Sequence, residues 1–273
     1  MAYAKINSIT NANMAKVLSA AKAALGKIGS IDAPSTAASF ADAKSLDFDG
    51  TDDHVLTDLE FVNRNVTMSC WVKQDAGSYN EGILGDMTSS RGNILKLDSW
   101  FSGGLWIRIG DGSDAYSAVI TSVDIADGNW HHVVFQIQGD GPDDNGTDPK
   151  VWVDGTLVLD VTGYTTDKDS STAEFGIGYR NPSTGQGSLA GQINDVAVWQ
   201  SQLTAAEVTV IYNSGDPTDL RVDTGDYASA SSLIGYWWMG DGDTYPTITD
   251  HGGSNDGTMT NMASGDIEED VPS

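Results

Sequence analysis

From Ser45 onward the chain runs in short alternating segments with turn residues between them, and that rhythm confines it to sheet architectures. The segments are "SLDFDG", "HVLTDLEF", "VTMSCWVK", "GILGDM", "GNILKLD", "GLWIRIGDG", "AYSAVITSV", "WHHVVFQI", "KVWVDGTLVLDV", "AEFGIGYR" and "GQINDVAVW"; "LIGYWWMGDG" and "NDGTMTNM" close the set. Turn signals recur about every ten residues, the spacing of an antiparallel sandwich or barrel. "VWVDGTLVL" sets Asp154-Gly155 between two alternating runs, a strong hairpin signal. The pattern predicts an all-β antiparallel sandwich over 45–273. The 31 glycines, 8 tryptophans and 9 tyrosines, against 19% charged residues, suit strands and turns.

Two segments break the rhythm. In "ITNANMAKVLSAAKAALGKIGSID", Met14, Leu18, Ala21, Leu25 and Ile28 recur at alternating steps of four and three, a two-position heptad seam. Asn11 or Asn13 suits the start, and Gly26, Gly29 and Pro34 weaken the end. A helix this short is marginal alone, so the seam must dock. It packs on its own body, on a copy of itself or on another protein; the reading favoured is an arm, 1–44, that docks to a partner. The second break is "LTAAEVTVIYNSG". Thr204 and Glu207 form a capping box, Val208, Ile211 and Tyr212 make one apolar face, and Gly215 and Pro217 are expected to end the helix. It is expected against one end or edge of the sandwich.

Charge divides the chain at the same place. The net charge is −25, yet residues 1–45 hold five lysines and two acidic residues. The acidic body argues against nucleic acid and anionic membrane surfaces as partners. No apolar run approaches the roughly 18 residues of a membrane helix, so no membrane insertion is expected. The start lacks the pattern of a signal peptide. The sequons at Asn65 and Asn145 are therefore read as chance matches. Cys70 is the only cysteine, which leaves no intrachain disulfide.

"DGNWHHVVFQI" carries two of the four histidines. On a strand, neighbours point to opposite faces. His131 shares a face with Val133, Phe135 and Ile137; His132 shares the other with Trp130, Val134 and Gln136. Adjacent strand residues cannot clasp one metal ion. The expectation is a hydrogen-bonded, buried His131 and a packed His132, with no catalytic role for either.

Together these segments resemble the laminin G-like, concanavalin A-like lectin/glucanase superfamily. "LDFDGTDDHV" is similar to its opening strand, "VTMSCWVK" to its Trp-bearing strand, and "DGNWHHVVFQI" with "KVWVDGTLV" to its W-H-H strand and Val-Asp-Gly hairpin. "GQINDVAVWQSQLTAAEVTVIYNSG" is similar to the closing strand and helix. The resemblance implies a concanavalin A-like jelly roll in which the W-H-H strand belongs to the core. The tail "LIGYWWMGDGDTYPTITDHGGSNDGTMTNM" resembles a segment that elsewhere precedes the domain. It either completes the sheets from the C-terminal side, the preferred reading, or begins a truncated second copy. The ends, "INSITNANMAKVLSAAKAALGKIGSID" and "SGDIEEDVPS", resemble virion structural proteins of marine tailed phages.

Three constellations follow. Glucanases of this superfamily need two carboxylates flanking the bond, in a Glu-x-Asp-x-x-Glu type strand. No such strand occurs, nor a G-x-S-x-G, an H-E-x-x-H or a phosphate loop, so no enzyme is expected. The superfamily resemblance also implies calcium in sheet-rim loops. The candidates are Asp49, Asp52 and Asp53, the group Asp250, Asn255 and Asp256, and the loop 140–148. Asp49 with Asp250 is the first choice; plain turn chemistry is the alternative. Sugar sites combine aromatic faces with planar polar groups. Trp100, Trp106, Arg108 and Tyr116 offer one set, and Tyr179, Arg180 and Asn181 another, unless Trp106 and Tyr179 are core or sheet-surface residues. The composite expectation is a non-enzymatic phage virion surface protein, decorating the capsid or sitting on the tail. It is present in many copies or as a homo-oligomer, held to other virion proteins by 1–44, with host surface polysaccharide as a candidate ligand. A stand-alone lectin is the alternative, and a degenerate glycosidase a weaker one.

Overall fold

Alternation of inward apolar and outward polar residues builds two stacked sheets. A computed structural model describes residues 40, 42–60, 65–86, 94–100, 103–110, 115–138, 148–162, 174–178 and 187–273. The seam Met14, Leu18, Ala21, Leu25 and Ile28 lies outside them, as do Tyr179, Arg180, Asn181 and the loop 140–147. The strands are β1 (Ser45–Asp49), β2 (His54–Glu60), β3 (Val66–Gln74), β4 (Gly82–Asp86), β5 (Ile94–Ser99), β6 (Leu105–Gly110), β7 (Ala115–Ile120) and β8 (His131–Gln138). Then come β9 (Asp148–Val153), β10 (Thr156–Asp160), β11 (Glu174–Ile177), β12 (Ala190–Trp199), helix α1 (Ala205–Tyr212), β13 (Leu233–Trp237), β14 (Thr247–Ile248), β15 (Gly257–Thr260) and β16 (Ile267–Glu268).

One sheet, A, has the order β10-β9-β8-β3-β12-β1-β16, with β13 also on β12. The other, B, runs β14-β15-β2-β11-β4-β5-β6-β7. All pairings are antiparallel. The core between them gathers Phe48, Met68, Phe135, Leu97, Ile107 and Phe175, with Trp237 stacked on Phe175 at 5.7 Å.

The tail completes both sheets. β13 pairs with β12, β16 with β1, and β14 with β15, which pairs with β2. One irregularity makes this possible. The register of β12 against β3 shifts between Asn194 and Ala197, around Asp195 at φ 54°. Before the shift β12 pairs with β1; after it, β13 takes the same edge.

The Asp154-Gly155 turn joins β9 to β10 with both residues at positive φ, 50° and 71°, as a two-residue type I′ turn requires. A side chain at Gly155 would also meet Tyr212, 2.9 Å from the glycine's ideal Cβ position. α1 departs from expectation twice. It ends at Asn213, which adopts the left-handed conformation (φ 46°, ψ 37°) two residues before Gly215. It lies over the outer face of sheet A rather than at an edge: Tyr212 stacks on Trp71 at 5.8 Å and on His132 at 6.1 Å. The capping box forms, and Glu207 also accepts from Ala228 N–H and Ser229 Oγ–H, tying the helix to the next loop.

Candidate functional site

The two outer faces differ. On sheet A, the outward residues Trp71, His132, Gln136, Asn194 and Trp199 are buried: Tyr212 lies on Trp71 and His132, Tyr227 meets Trp199, Gln136 accepts from Leu203 N–H, and Asn194 donates to Asp42. On sheet B, the outward positions of β6, β7, β2 and β15 meet solvent: Trp106, Arg108, Ser117, Val119, Leu56, Asp58 and Thr258 are half-buried or exposed. A ligand therefore has side chains to meet on sheet B.

The β5–β6 hairpin builds the aromatic part. Leu105, Ile107 and Ile109 face the core, so strand alternation sends Trp106 and Arg108 outward. Trp100 follows β5 directly, and its N–H donates to Gly104 O at 2.7 Å. Its ring meets Trp106 edge-on at 5.1 Å. The Arg108 guanidinium lies 5.1 Å from the centre of the Trp106 ring, a cation–π contact that also shields that ring face. Val119 stands opposite Trp106 in the register and is 42% exposed. The structure thus joins Trp100, Trp106 and Arg108. Tyr116 does not join them by register: its partner on β6 is Ile109, a core residue, and its side chain lies outside the described residues.

Behind Trp100 sits a buried polar junction that the sequence did not disclose. Glu81 Oε2 accepts from Gln74 Nε2 at 2.8 Å and from Ala190 N–H at 2.9 Å. Ser99 Oγ accepts from Gln74 Nε2 at 2.9 Å and from Glu81 N–H at 3.1 Å. Four chain segments meet here: the end of β3, the approach to β4, the end of β5 and the start of β12. Burial pushes the Glu81 carboxyl up, against the two hydrogen bonds that favour its charge. Gly178 and Gly187, which bracket 179–186, are tied to β4: Gly178 N–H donates to Ile83 O, and Gly82 N–H to Gly187 O. Gly178 and Gly187 therefore stand at the same rim as Trp100. Asp98, 1% exposed beside Trp106 in the register, was also missed. Alternation from Leu97 in "LKLDSW" sets Asp98 on the outer face, so its burial carried no signal in the sequence.

The rim also gathers acids. Asp49, Asp52 and Asp53 offer oxygens all within 4.8 Å of one another. Asp53 Oδ2 accepts from Asp49 N–H at 3.0 Å, and Asp49 Oδ1 from Thr51 N–H at 2.7 Å. Burial, then repulsion from Asp49 and other acids, raises the Asp53 carboxyl. These are oxygen donors of the kind calcium takes. Asp250 is not in this group. Its oxygens accept from the N–H groups of Tyr236, Gly252, Gly253 and Asn255, which is turn chemistry. The structure does not bring Asp49 and Asp250 together as a cluster.

His131 is hydrogen-bonded and His132 packed, as expected, but His131 is less buried than expected. His131 is half-buried, with Nδ1 2.8 Å from Asp154 Oδ2 and Nε2 3.2 Å from Asp127 Oδ1. The bond to Asp154 leads in holding its pKa up. His132 is the buried one, between Trp71 and Tyr212, and burial pushes it down to about 4. The reason is the cover: α1 closes the face that His132 shares with Val134 and Gln136.

A two-sheet antiparallel jelly roll with one outer face covered and aromatic side chains on the other is a lectin-type sandwich. The chain belongs to the concanavalin A-like lectin/glucanases superfamily, whose laminin G-like domain matches residues 48–209. Solved structures share the fold. A protein from Bacteroides ovatus, provisionally described as carbohydrate binding, is 17% identical with a TM-score of 0.58, over 85% of this chain and 62% of that one. A heptameric SAP-like pentraxin from Limulus polyphemus is 18% identical with a TM-score of 0.50, over 82% of this chain and 98% of that one. Domain 4 of a GH43 extracellular arabinanase from Geobacillus stearothermophilus, in complex with arabinotriose, is 20% identical with a TM-score of 0.50, over 63% and 79%. No curated protein matches the sequence.

Proposed function

We propose that the protein is a non-enzymatic glycan-binding module displayed on the surface of a phage particle. One observation carries the binding half: Trp100, Trp106 and Arg108 are joined on the solvated face of sheet B, where stacking surface and a planar donor group lie side by side. The arabinotriose bound to the arabinanase domain, and the carbohydrate binding ascribed to the Bacteroides protein, support a sugar as the ligand class. The glutamates support binding over hydrolysis. Glu81 is tied into a junction and Glu207 into a cap, so neither is free to attack or protonate a glycosidic bond. The division between a lysine-bearing 1–45 and an acidic body supports attachment at one end and exposure at the other.

A glycan array of the full chain, beside a Trp100→Ala, Trp106→Ala double variant, tests the binding half. The wild type is expected to bind a defined subset and the double variant to lose it; equal profiles would remove this face from consideration. No reducing ends should be released from the bound polysaccharides. For display, deletion of 1–44 should abolish incorporation into particles. Normal incorporation of the truncated chain would instead favour a stand-alone lectin.

A further inference from the structure

We infer that the edge strand β7 is a self-pairing surface: a second copy of the chain docks there, strand to strand and antiparallel, about a twofold axis at Ser117.

The ends of the two sheets are finished differently. Sheet A ends in β10 and β16, and sheet B in β14 and β7. An edge strand leaves N–H and C=O groups unpaired, a template for another strand, and short strands, bulges and charges are what keep such an edge from pairing. β14 and β16 are two residues long. β10 breaks register between Leu157 and Leu159, and its Asp160 pairs with Lys150 at 3.2 Å. β7 has none of these devices. It is six residues long, pairs with β6 without a register shift, and carries no charged residue, glycine or proline. Among the described residues no strand pairs with its outer edge.

The backbone fixes which groups that edge offers. Ile120 O is turned toward β6, 2.4 Å from the ideal Cβ position of Gly104. Along an antiparallel strand the residues alternate between the two neighbours. Ile120, Ala118 and Tyr116 therefore bond to β6, and Ala115, Ser117 and Val119 turn N–H and C=O to the open side. That set matches itself. With Ser117 opposite Ser117, Ala115 falls opposite Val119, and about six hydrogen bonds close between the copies. A copy of the chain supplies this spacing by symmetry.

Charge favours the same occupant. Bodies of a chain with net charge −25 repel, so a contact between copies favours a stretch free of acids. "AYSAVITSV", 115–123, holds no charged residue. Asp114 and Asp124 flank it at unequal distances from Ser117 in the sequence, so the pairing does not set one acid opposite the other. Val119, 42% exposed, and the exposed Ser117 stand on the wet face at the seam. Pairing continues sheet B through the axis and leaves the two β6 strands three strand spacings apart, roughly 14 Å. The Trp106 rings of both copies then share one wet face. One consequence rests on the glycan-binding reading: a repeating polysaccharide meets two sites at once and gains by avidity.

The test is sedimentation velocity of the full chain across the micromolar range, at an ionic strength of about 0.15 M, where the Debye length is about 8 Å. Expected is a reversible dimer that weakens at low salt, as the acidic bodies repel. Val119→Lys should weaken association by about tenfold or more with the melting temperature unchanged, and Leu157→Lys on β10 should leave association as in the wild type. A second variant reads the register. Ser117→Cys should form an interchain disulfide with oxidised glutathione, because Cα atoms of a hydrogen-bonded antiparallel pair sit about 5.5 Å apart, within disulfide reach. Cys70 is fully buried and takes no part. A chain that stays monomeric across the range overturns the inference. So does association undiminished in Val119→Lys, whether through residues 1–44 or another surface, and so does a Ser117→Cys chain that yields no interchain disulfide. Each of these leaves the glycan-binding reading standing.

Discussion

Sheets A and B are built from the same alternating strands, but among the described residues the outer face of sheet A is the more covered. On sheet A, the faces of β3, β8 and β12 are both buried, because α1 and the segments that follow lie across them. On sheet B, β6 and β2 keep the in-out alternation of a sheet with one wet face. The covered face spends its aromatic residues on stability: Trp71, His132 and Tyr212 stack, and Trp199 Nε1–H donates to the Tyr227 hydroxyl. The open face leaves Trp100 and Trp106 half-buried, edge-on to each other beside the exposed Val119.

That contrast breaks most visibly under truncation. Ile211→Ala, at a position 2% exposed under the cover, should cost about 3 kcal/mol and lower Tm by several degrees in calorimetry, with the bound glycan profile unchanged. Trp106→Ala should do the reverse: a loss of about 2 kcal/mol in glycan affinity by calorimetry, with stability changed by less than about 1 kcal/mol. A Trp106→Ala variant that unfolds would erase the distinction between the faces.

Acidity sharpens it further. Burial raises Asp42 and Asp47 to about 6. A carboxyl whose folded pKa exceeds its unfolded value near 3.8 binds protons in the folded state first, so stability rises as pH falls through 6 toward 4. Tm should climb by a few degrees between pH 7.5 and 5, and Asp42→Asn should reproduce part of that gain at pH 7.5. His131 acts in the same direction. Its raised pKa gives stability present below about 6.5 and lost as pH rises through the folded value. His131→Gln should flatten the alkaline side of the curve. The smallest effect concerns the rim. Calcium should raise Tm by a degree or so in the wild type and not in an Asp49→Asn, Asp53→Asn variant, with EDTA reversing it.

Much of this was legible in the residues. Period-two alternation located the strands, Asp154-Gly155 the hairpin, and Thr204 with Glu207 the helix start. A packed His132 was expected, but what packs on it was not legible, because the cover comes from distant segments: Tyr212 stacks on His132 and Leu203 N–H donates to Gln136. The site was half legible. Trp100, Trp106 and Arg108 sit within nine positions, so their proximity follows from one hairpin. The junction of Gln74, Glu81, Ser99 and Ala190 joins four segments through single polar residues, and no local pattern marks such a meeting. Asp49 found its neighbours in its own turn, while Asp250 is consumed by backbone donors, a fate that composition does not reveal.

The central claim is that ligand meets the open face of sheet B. The most direct measurement is a titration of indole N–H signals by NMR, on the full chain, with the strongest glycan from the array. The eight tryptophans provide reporters on both faces. The account predicts that Trp100 and Trp106 shift with the ligand while Trp71, Trp199 and Trp238, under the cover of sheet A, stay still. Shifts confined to the covered set, with Trp100 and Trp106 unmoved, would contradict it.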